Sequence, residues 1–484
     1  KYGVGKKGDE IQNTLDKHRQ DFTDEELERL GDYAVNDVDL TYDLFTIMAK
    51  GFPKKELKLI DLSLRMFVEP VLDLNLDLLE DHLASTRQHK EELLMDARAS
   101  KEDLMSNDKF AKLLAAYNVS PPKKISPTTG KKTWAFAKSD EEFKYLLTHQ
   151  DERVQSLVAA RLGNKSTLEE TRTQRFIDIA KRGTLPVPVR YYAAHTGRWG
   201  GDDKINLQNL PSRGANANML KRGIIAPQGY SIIDADSAQI EARVLAWLAE
   251  QDDLTQAFAK GEDVYKKMAS KIYGVAESQI TKDQRFVGKT TILGAGYGMG
   301  AQKFQDQLKT FGFDMELHEA RRVIQVYRSS NLDIKNLWRD AQLFLKDGNT
   351  FGKQGVLYVE DGKILLPSSL YLRYDDLQFT PTDKGVEFDY KTRRGRTRIY
   401  GGKIIENVCQ AIARCIIGEQ MLQIAKRYRV VLTVHDSIAC CVKDEEVDEA
   451  QKYVEECMRQ PPEWAEGLPI DCESGAGKSY GECG

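Results

Sequence analysis

Tyr230-Ser231-Ile232-Ile233-Asp234-Ala235-Asp236-Ser237-Ala238-Gln239-Ile240-Glu241-Ala242-Arg243 changes its character midway. The residues from Tyr230 to Asp236 read as a strand. From Ile240 onward, apolar Ile240, Val244, Trp247 and Leu248 recur at i, i+4, i+7 and i+8, the stripe of an amphipathic helix. Asp236 therefore stands where a buried strand ends and a helix begins, on rigid scaffold with its oxygens free. An isolated aspartate in such a place is usually a helix cap or turn residue, so a chemical role needs independent support.

A second strand pair supplies a partner. Val430-Val431-Leu432-Thr433-Val434 and Ile438-Ala439-Cys440-Cys441-Val442 flank His435-Asp436-Ser437, which reads as a β-hairpin with polar residues at its tip. Two carboxylates from separate strands suit Mg²⁺, which takes one or two carboxylates, keeps waters and binds substrate phosphates.

Further support lies between the two. A helix is predicted from about 282 to 297, with Arg285 and Lys289 four residues apart and so roughly 6 Å apart on one face. Leu293 and Tyr297 continue the stripe, and two cations with an aromatic suit a triphosphate and a base. Taken alone, the two cations read equally as solvated charges on a surface helix. Gly294, Gly296, Gly298 and Gly300 are costly for such a helix, at about 1 kcal/mol each, and point to close backbone approach or a hinge. Gly288-Lys289-Thr290 and Gly477-Lys478-Ser479 resemble the end of a P-loop, but Asp283 and Cys472 stand where its first glycine belongs, which weakens an ATPase reading.

The rest of the chain sets the frame. Its 484 residues are too many for one core, so two or three domains are expected. Residues 24 to 50 and 54 to 116 read as helices broken by Pro53 and Pro70, and two more helical patterns fill 139 to 182. Short strands mixed with helices follow from 190, helices dominate to about 346, strand signals return at 356 to 400, and a long helix begins near Ile404. No apolar run of about 18 residues spans a bilayer, and the start, Lys1-Tyr2-Gly3-Val4-Gly5-Lys6-Lys7, lacks a signal peptide's apolar region. Seven cysteines without a C-x-x-C pair fit reduced thiols, so a cytoplasmic protein is expected. The net charge of −4 gives no global attraction to nucleic acid, but phosphate binding needs only a local basic surface. Lys123, Lys124, Lys131, Lys132 and Lys138, read as a mobile loop, and the Lys391 to Lys403 run could supply it; each alone also reads as solvated charge.

Five motifs in order now carry a resemblance. Thr196-Gly197-Arg198, Asn206-Leu207-Gln208-Asn209-Leu210-Pro211, the Asp236 to Arg243 stretch, Arg285-x-x-x-Lys289-x-x-x-Leu293-Gly294-x-x-Tyr297-Gly298 and Val434-His435-Asp436 resemble the motifs of family A DNA polymerases, over roughly residues 30 to 484. Glu241 to Leu248 and Tyr400-Gly401-Gly402-Lys403 look closest to phage versions. The resemblance implies an α+β multidomain fold of right-hand architecture, with an antiparallel-sheet palm and helical fingers and thumb. The thumb would be 51–182, the palm 183–250 plus 399–484, and the fingers 251–398. It implies a DNA-directed DNA polymerase acting on primer-template DNA and deoxynucleoside triphosphates, in phage replication, in the host cytoplasm.

The same resemblance assigns roles. Asp236, Asp436 and the Ser237 carbonyl would hold two Mg²⁺ ions; Arg285 and Lys289 would grip the phosphates, with Lys289 protonating pyrophosphate. Gln239, Leu293 and Tyr297 would lie at the incoming nucleotide and templating base, and Glu241 would crowd a ribose 2′-hydroxyl. Arg198 and Gln410 would read minor-groove acceptors, His435 would position the primer end, and Asn209 would join them on the DNA. Leu293, Ser437 and Tyr265 depart from the family's usual residues at their positions. Residues 1–50 resemble the end of a 3′-5′ exonuclease domain through Tyr33-Ala34-Val35-Asn36-Asp37, with Tyr33 and Asp37 as vestiges; without an earlier acidic strand before residue 30, proofreading is expected to be absent from this chain. Competing readings are a single-subunit RNA polymerase or reverse transcriptase, with Glu241 arguing against RNA synthesis, and an inert DNA-binding or processivity module, which Asp236, Asp436, Arg285 and Lys289 together disfavour.

Overall fold

The computed structural model describes residues 3–483 apart from 127–129, 166, 212–217 and 384. The chain divides into two compact units, Lys1–Asp61 and Leu62–Gly484. The first is built on the helix Asp24–Ala49, whose start is fixed by a capping box: Thr23 Oγ1 accepts from the Glu26 amide, and Glu26 accepts from the Thr23 amide.

In the second unit, helices Leu76–Ala97, Asn107–Ala116, Glu152–Lys165 and Leu168–Ala180 come first. Leu104, Phe110, Leu114, Phe136, Phe143 and Val158 form one core among them. The basic stretch expected here as a loop is instead a β-hairpin, Lys123–Ile125 with Lys132–Trp134. Tertiary contacts override its Pro- and Gly-rich composition: Trp134 stacks on Phe136 and donates to Asp108, Lys123 lies over the Trp134 ring, and Lys124 pairs with Asp140.

The elements that position the site follow: β1 (Tyr230–Ser237), α1 (Ile240–Leu248), α2 (Val264–Tyr273), α3 (Lys282–Ala295), α4 (Leu332–Asp347), β2 (Gly385–Thr392), β3 (Gly395–Ile399), α5 (Gly401–Ile424), β4 (Arg429–Val434), β5 (Ser437–Lys443), α6 (Val447–Arg459) and β6 (Cys472–Gly477). Strands β4-β5-β1-β6 form an antiparallel sheet in that order, with β1 inside it. An inner strand shows both faces to protein, so Ile232, Ile233 and Ala235 are all buried. Helix α5 starts at Gly401, three residues before the expected Ile404, and is buried around most of its circumference. It packs on α1, α4, α6 and the strands β4 and β5, which explains why its apolar residues show no single stripe.

A separate core, including Phe258, Tyr265, Met268, Val287, Phe304 and Tyr327, joins α2 and α3 to helices Ala301–Thr310 and Leu317–Ser330. Gly288 permits the α2–α3 contact, since a Cβ there would stand 2.2 Å from the Tyr265 carbonyl oxygen. Helix α3 ends at Ala295, two residues short of expectation. Tyr297 therefore lies in the following turn, because the chain reverses at Gly298 with φ +79°. Among the described residues no helix is long and apolar enough to cross a membrane.

Candidate active site

Asp236 and Asp436 come together at one end of the sheet. In the β1–β5 register Asp236 faces Ser437, so the aspartates are one position out of step on adjacent strands, and the Ser237 amide donates to the Asp436 carbonyl at 3.2 Å. The hairpin tip that carries Asp436 is held in an unusual shape. His435 adopts φ +56°; its amide donates to Gln208 Oε1 at 2.9 Å, and Gln208 Nε2 donates to the Thr433 carbonyl at 2.6 Å. Gln208 is buried and reads both edges of the tip at once. Its motif was visible in the sequence; its role was not, since the bonds span more than 220 residues.

Asp236 sits at the mouth of this end. Surrounding protein, then the nearby charges of Asp436 and Glu473, push its carboxyl pKa up to about 6. Asp436 is also raised, chiefly by burial, against the pull of its own backbone amide. Two acidic groups held in each other's field want a cation. Ser237 Oγ is buried without a hydrogen-bond partner among the described residues. The carboxylates of Asp236 and Asp436 are hard oxygen donors, the kind that Mg²⁺ accepts while keeping waters and substrate phosphates.

The bend from β1 into α1 passes through Gln239, which takes a left-handed conformation (φ +55°) and leaves its side chain exposed. Arg243 pins the bend: buried on α1, it donates to the carbonyls of Ala238 at 2.7 Å and Pro469 at 3.1 Å. Two residues earlier, Glu241 pairs with Arg198 at 3.2 Å, accepts from Gln410, and receives the Tyr297 hydroxyl on its backbone carbonyl at 3.4 Å. Burial raises the Glu241 pKa, and Arg198 opposes that rise. Arg198 is presented by a turn whose Gly197 carbonyl accepts from the buried Arg414 at 3.1 Å, with Arg414 stacked on Trp199, Tyr191 and Tyr192. Sequence reading quoted Gln208 and Arg243 within motifs without giving either a role, and it missed Arg414; for Arg243 and Arg414 the available signal was a charged residue inside an apolar helical run.

Arg285 and Lys289 form a second cluster on α3, apart from the aspartates' own bonds. Arg285 Nε binds Asp263 at 2.7 Å, and both cations lie over the Tyr265 ring, at 5.3 and 5.9 Å. Burial works against Asp263, yet the bonds from Arg285 and the Lys266 amide bring its pKa below the usual carboxylate value. Lys289 and Leu293 are exposed on the same face, Leu293 at 41 %, which is high for so large an apolar side chain within a packed helix. Asp263 went unnoticed in the sequence. Asn209 is exposed, with its carbonyl bound by Arg172 at 2.8 Å, and does not join either cluster through the bonds described. In the first unit Asp37 is paired with Lys7 at 3.0 Å, and Lys7 lies over Tyr33.

The family described as DNA polymerase family A matches residues 75–351. A DNA polymerase of Bacillus phage SP02 is 27% identical over 336 residues, covering 58% of this chain and 50% of that protein. DNA polymerase I of Pseudomonas aeruginosa is 28% identical over 320 residues, covering 62% of this chain and 33% of that protein. The matches thus span from a third to half of these relatives' lengths. Among solved structures, the POL domain of Pol1 from M. smegmatis, in complex with DNA primer-template and dNTP, is similar with a TM-score of 0.69 at 21% identity, covering 93% of this chain and 75% of that chain. At that identity the likeness establishes the shared α+β fold.

Proposed function

The chain belongs to DNA polymerase family A, and from that premise we propose that it is a DNA-directed DNA polymerase, extending a primer 3′ end with deoxynucleoside triphosphates and releasing pyrophosphate. One observation carries the reading: Asp236 and Asp436 are brought side by side from strands 200 positions apart, each raised in pKa by its surroundings. The phage relative supports a role in phage replication, in the host cytoplasm. Residues 183–250 and 399–484 would act as palm, 251–398 as fingers and 51–182 as thumb, with 1–50 the end of an exonuclease domain.

Asp236, Asp436 and the Ser237 carbonyl would hold two Mg²⁺ ions, which when bound lower the pKa of the primer 3′-hydroxyl and neutralise charge on the triphosphate and leaving pyrophosphate. The 3′-hydroxyl gives its proton to solvent, its oxygen bonds to the α-phosphorus, and the bond from that phosphorus to pyrophosphate breaks. Arg285, with Nε fixed by Asp263, keeps its two terminal nitrogens for a phosphate fork. Lys289 delivers the proton that pyrophosphate takes up. Leu293 offers an apolar surface to the nucleotide and Tyr297 stands beside the templating base. Gln239 contacts the incoming nucleotide, and Glu241, fixed by Arg198 and Gln410, excludes a 2′-hydroxyl. Arg198 and Gln410 serve as minor-groove contacts once duplex is bound, while His435 and Asn209 contact the DNA.

Primer extension tests the reading. Asp436→Asn should lose incorporation by about 10³-fold or more while retaining primer-template affinity. Normal extension by that variant would overturn the metal assignment. A DNA-binding module without catalysis would show primer-template binding but no Mg²⁺-dependent pyrophosphate release.

A further inference from the structure

Tyr265 is 4 % exposed, yet two cations lie over its ring. The Arg285 guanidinium carbon stands 5.3 Å from the ring centre and the Lys289 ammonium 5.9 Å. Both are within the roughly 6 Å over which an aromatic face attracts a cation. The ring is held in place from behind: it belongs to the core that contains Phe258, Met268, Val287 and Phe304, and the amide of the same residue donates to Asp263 at 3.2 Å in the first turn of α2.

Gly288 explains how one ring reaches two cations. It lies between Arg285 and Lys289 in sequence, and a Cβ there would stand 2.2 Å from the Tyr265 carbonyl oxygen and 3.1 Å from the Ala269 amide nitrogen. A side chain at this position would force the backbone of α2 away from α3. Arg285 and Lys289, about 6 Å apart along α3, flank the close contact and both overhang the ring.

The two cations depend on the ring unequally. Arg285 is also fixed through Nε by Asp263 at 2.7 Å. Lys289 has no carboxylate partner among the described residues. A lysine is among the side chains that lose most rotamer freedom on being ordered, so one that must meet a phosphate in a single place gains from being ordered beforehand. We propose that the aromatic face of Tyr265 is the positioning group for Lys289, holding its ammonium ready for the phosphates, as Asp263 does for Arg285. The assignment rests on the polymerase reading for what Lys289 does there.

A double-mutant cycle tests whether the ring acts through Lys289. In single-turnover incorporation of one deoxynucleotide, Tyr265→Leu should lower the maximal rate about tenfold, part of what a placed proton donor contributes, and weaken nucleotide affinity only about threefold. Tyr265→Phe keeps the ring without the hydroxyl and should stay within about twofold of the unmodified protein. Tyr265→Leu/Lys289→Ala should be no slower than Lys289→Ala alone. An unchanged rate in Tyr265→Leu overturns the proposal, and so do losses that multiply in the double variant, since the ring would then act independently of Lys289. A loss in Tyr265→Phe as large as in Tyr265→Leu also overturns it, because the hydroxyl would itself be the phosphate contact. If Tyr265→Leu does not fold, Tyr265→Met takes its place in the cycle, filling the core with an adaptable side chain that has no aromatic face. Calorimetry with inorganic tripolyphosphate repeats the cycle without catalysis: Tyr265→Leu should weaken binding about threefold in the otherwise unmodified protein and not at all in Lys289→Ala. Failure of the unmodified protein to extend any primer defeats the polymerase reading separately, since the tripolyphosphate cycle still decides whether the ring positions Lys289.

Discussion

Asp263 accepts from the amides of Tyr265 and Lys266, at 3.2 and 3.0 Å, and so caps α2, while its other oxygen holds Arg285 Nε. One carboxylate thus orders a helix start and a phosphate-binding cation together. Asparagine keeps the cap but not the charge. Asp263→Asn should therefore leave the melting temperature nearly unchanged while raising the KM for nucleotides about tenfold, the scale of one charge-assisted hydrogen bond; steady-state incorporation kinetics read this directly. Asp263→Ala should in addition lose about 1 kcal/mol of stability from the missing cap, seen in urea unfolding. An unchanged KM in both variants would mean that Arg285 finds its position without Asp263.

At the scale of elements, β1 carries a cost that the site imposes. Asp234 lies within the strand with Oδ1 buried and unpartnered among the described residues. Burial pushes its pKa up to about 6, with Asp236 adding to the rise and Ser437 opposing it. A carboxyl raised in the folded state binds its proton more tightly there than in the unfolded chain. Stability therefore falls as pH rises from about 4 to about 6 and stays at the lower level above. In a metal-free buffer Asp234→Asn should exceed the parent by up to about 3 kcal/mol at neutral pH, with the gap closing below pH 4; denaturant unfolding at several pH values would check it.

The junction of the α3 turn with α5 is equally specific. Gly402→Ala would drive a methyl into the Tyr297 carbonyl and to 3.1 Å from the Gly298 Cα. Backbone cannot swing aside as a side-chain tip can. The expected loss is about 1–3 kcal/mol of stability, with incorporation reduced as Tyr297 shifts; thermal unfolding and primer extension measure both.

For the whole molecule, a net charge of −4 means that the overall field does not draw in DNA, so affinity must come from local basic surfaces. Some apparent candidates are already engaged. Arg396 in the Lys391 to Lys403 run is bonded to Asp376 and Asp389, and Arg398 to Glu387, which leaves that run less cationic than its letters imply. Primer-template binding should weaken linearly on a log-log plot against salt, with a slope set by the number of phosphates neutralised. Chelation should abolish incorporation, and added Mg²⁺ should restore it, while salt-dependent binding persists in the chelator; synthesis surviving chelation would remove the metal assignment.

How much was legible in the sequence follows from the range of the interactions. The change of period at Asp236, the hairpin around Asp436 and the helix bearing Arg285 and Lys289 were readable because each is decided within a few turns of chain. So were the ordered motifs that point to the family. The end of α3 was misplaced because an i+4 stripe continues through Gly296 in the letters, whereas the chain turns at Gly298. The hairpin within residues 121–138 was misread because local composition is overridden by bonds and packing beyond the stretch: Trp134 donates to Asp108, and Phe136 joins the core of Phe110, Phe143 and Val158. Only the tertiary structure decided that Gln208 shapes the tip carrying Asp436 and that Asp263 holds Arg285. Those facts depend on side chains distant in sequence meeting in space, and no local spacing encodes such a meeting.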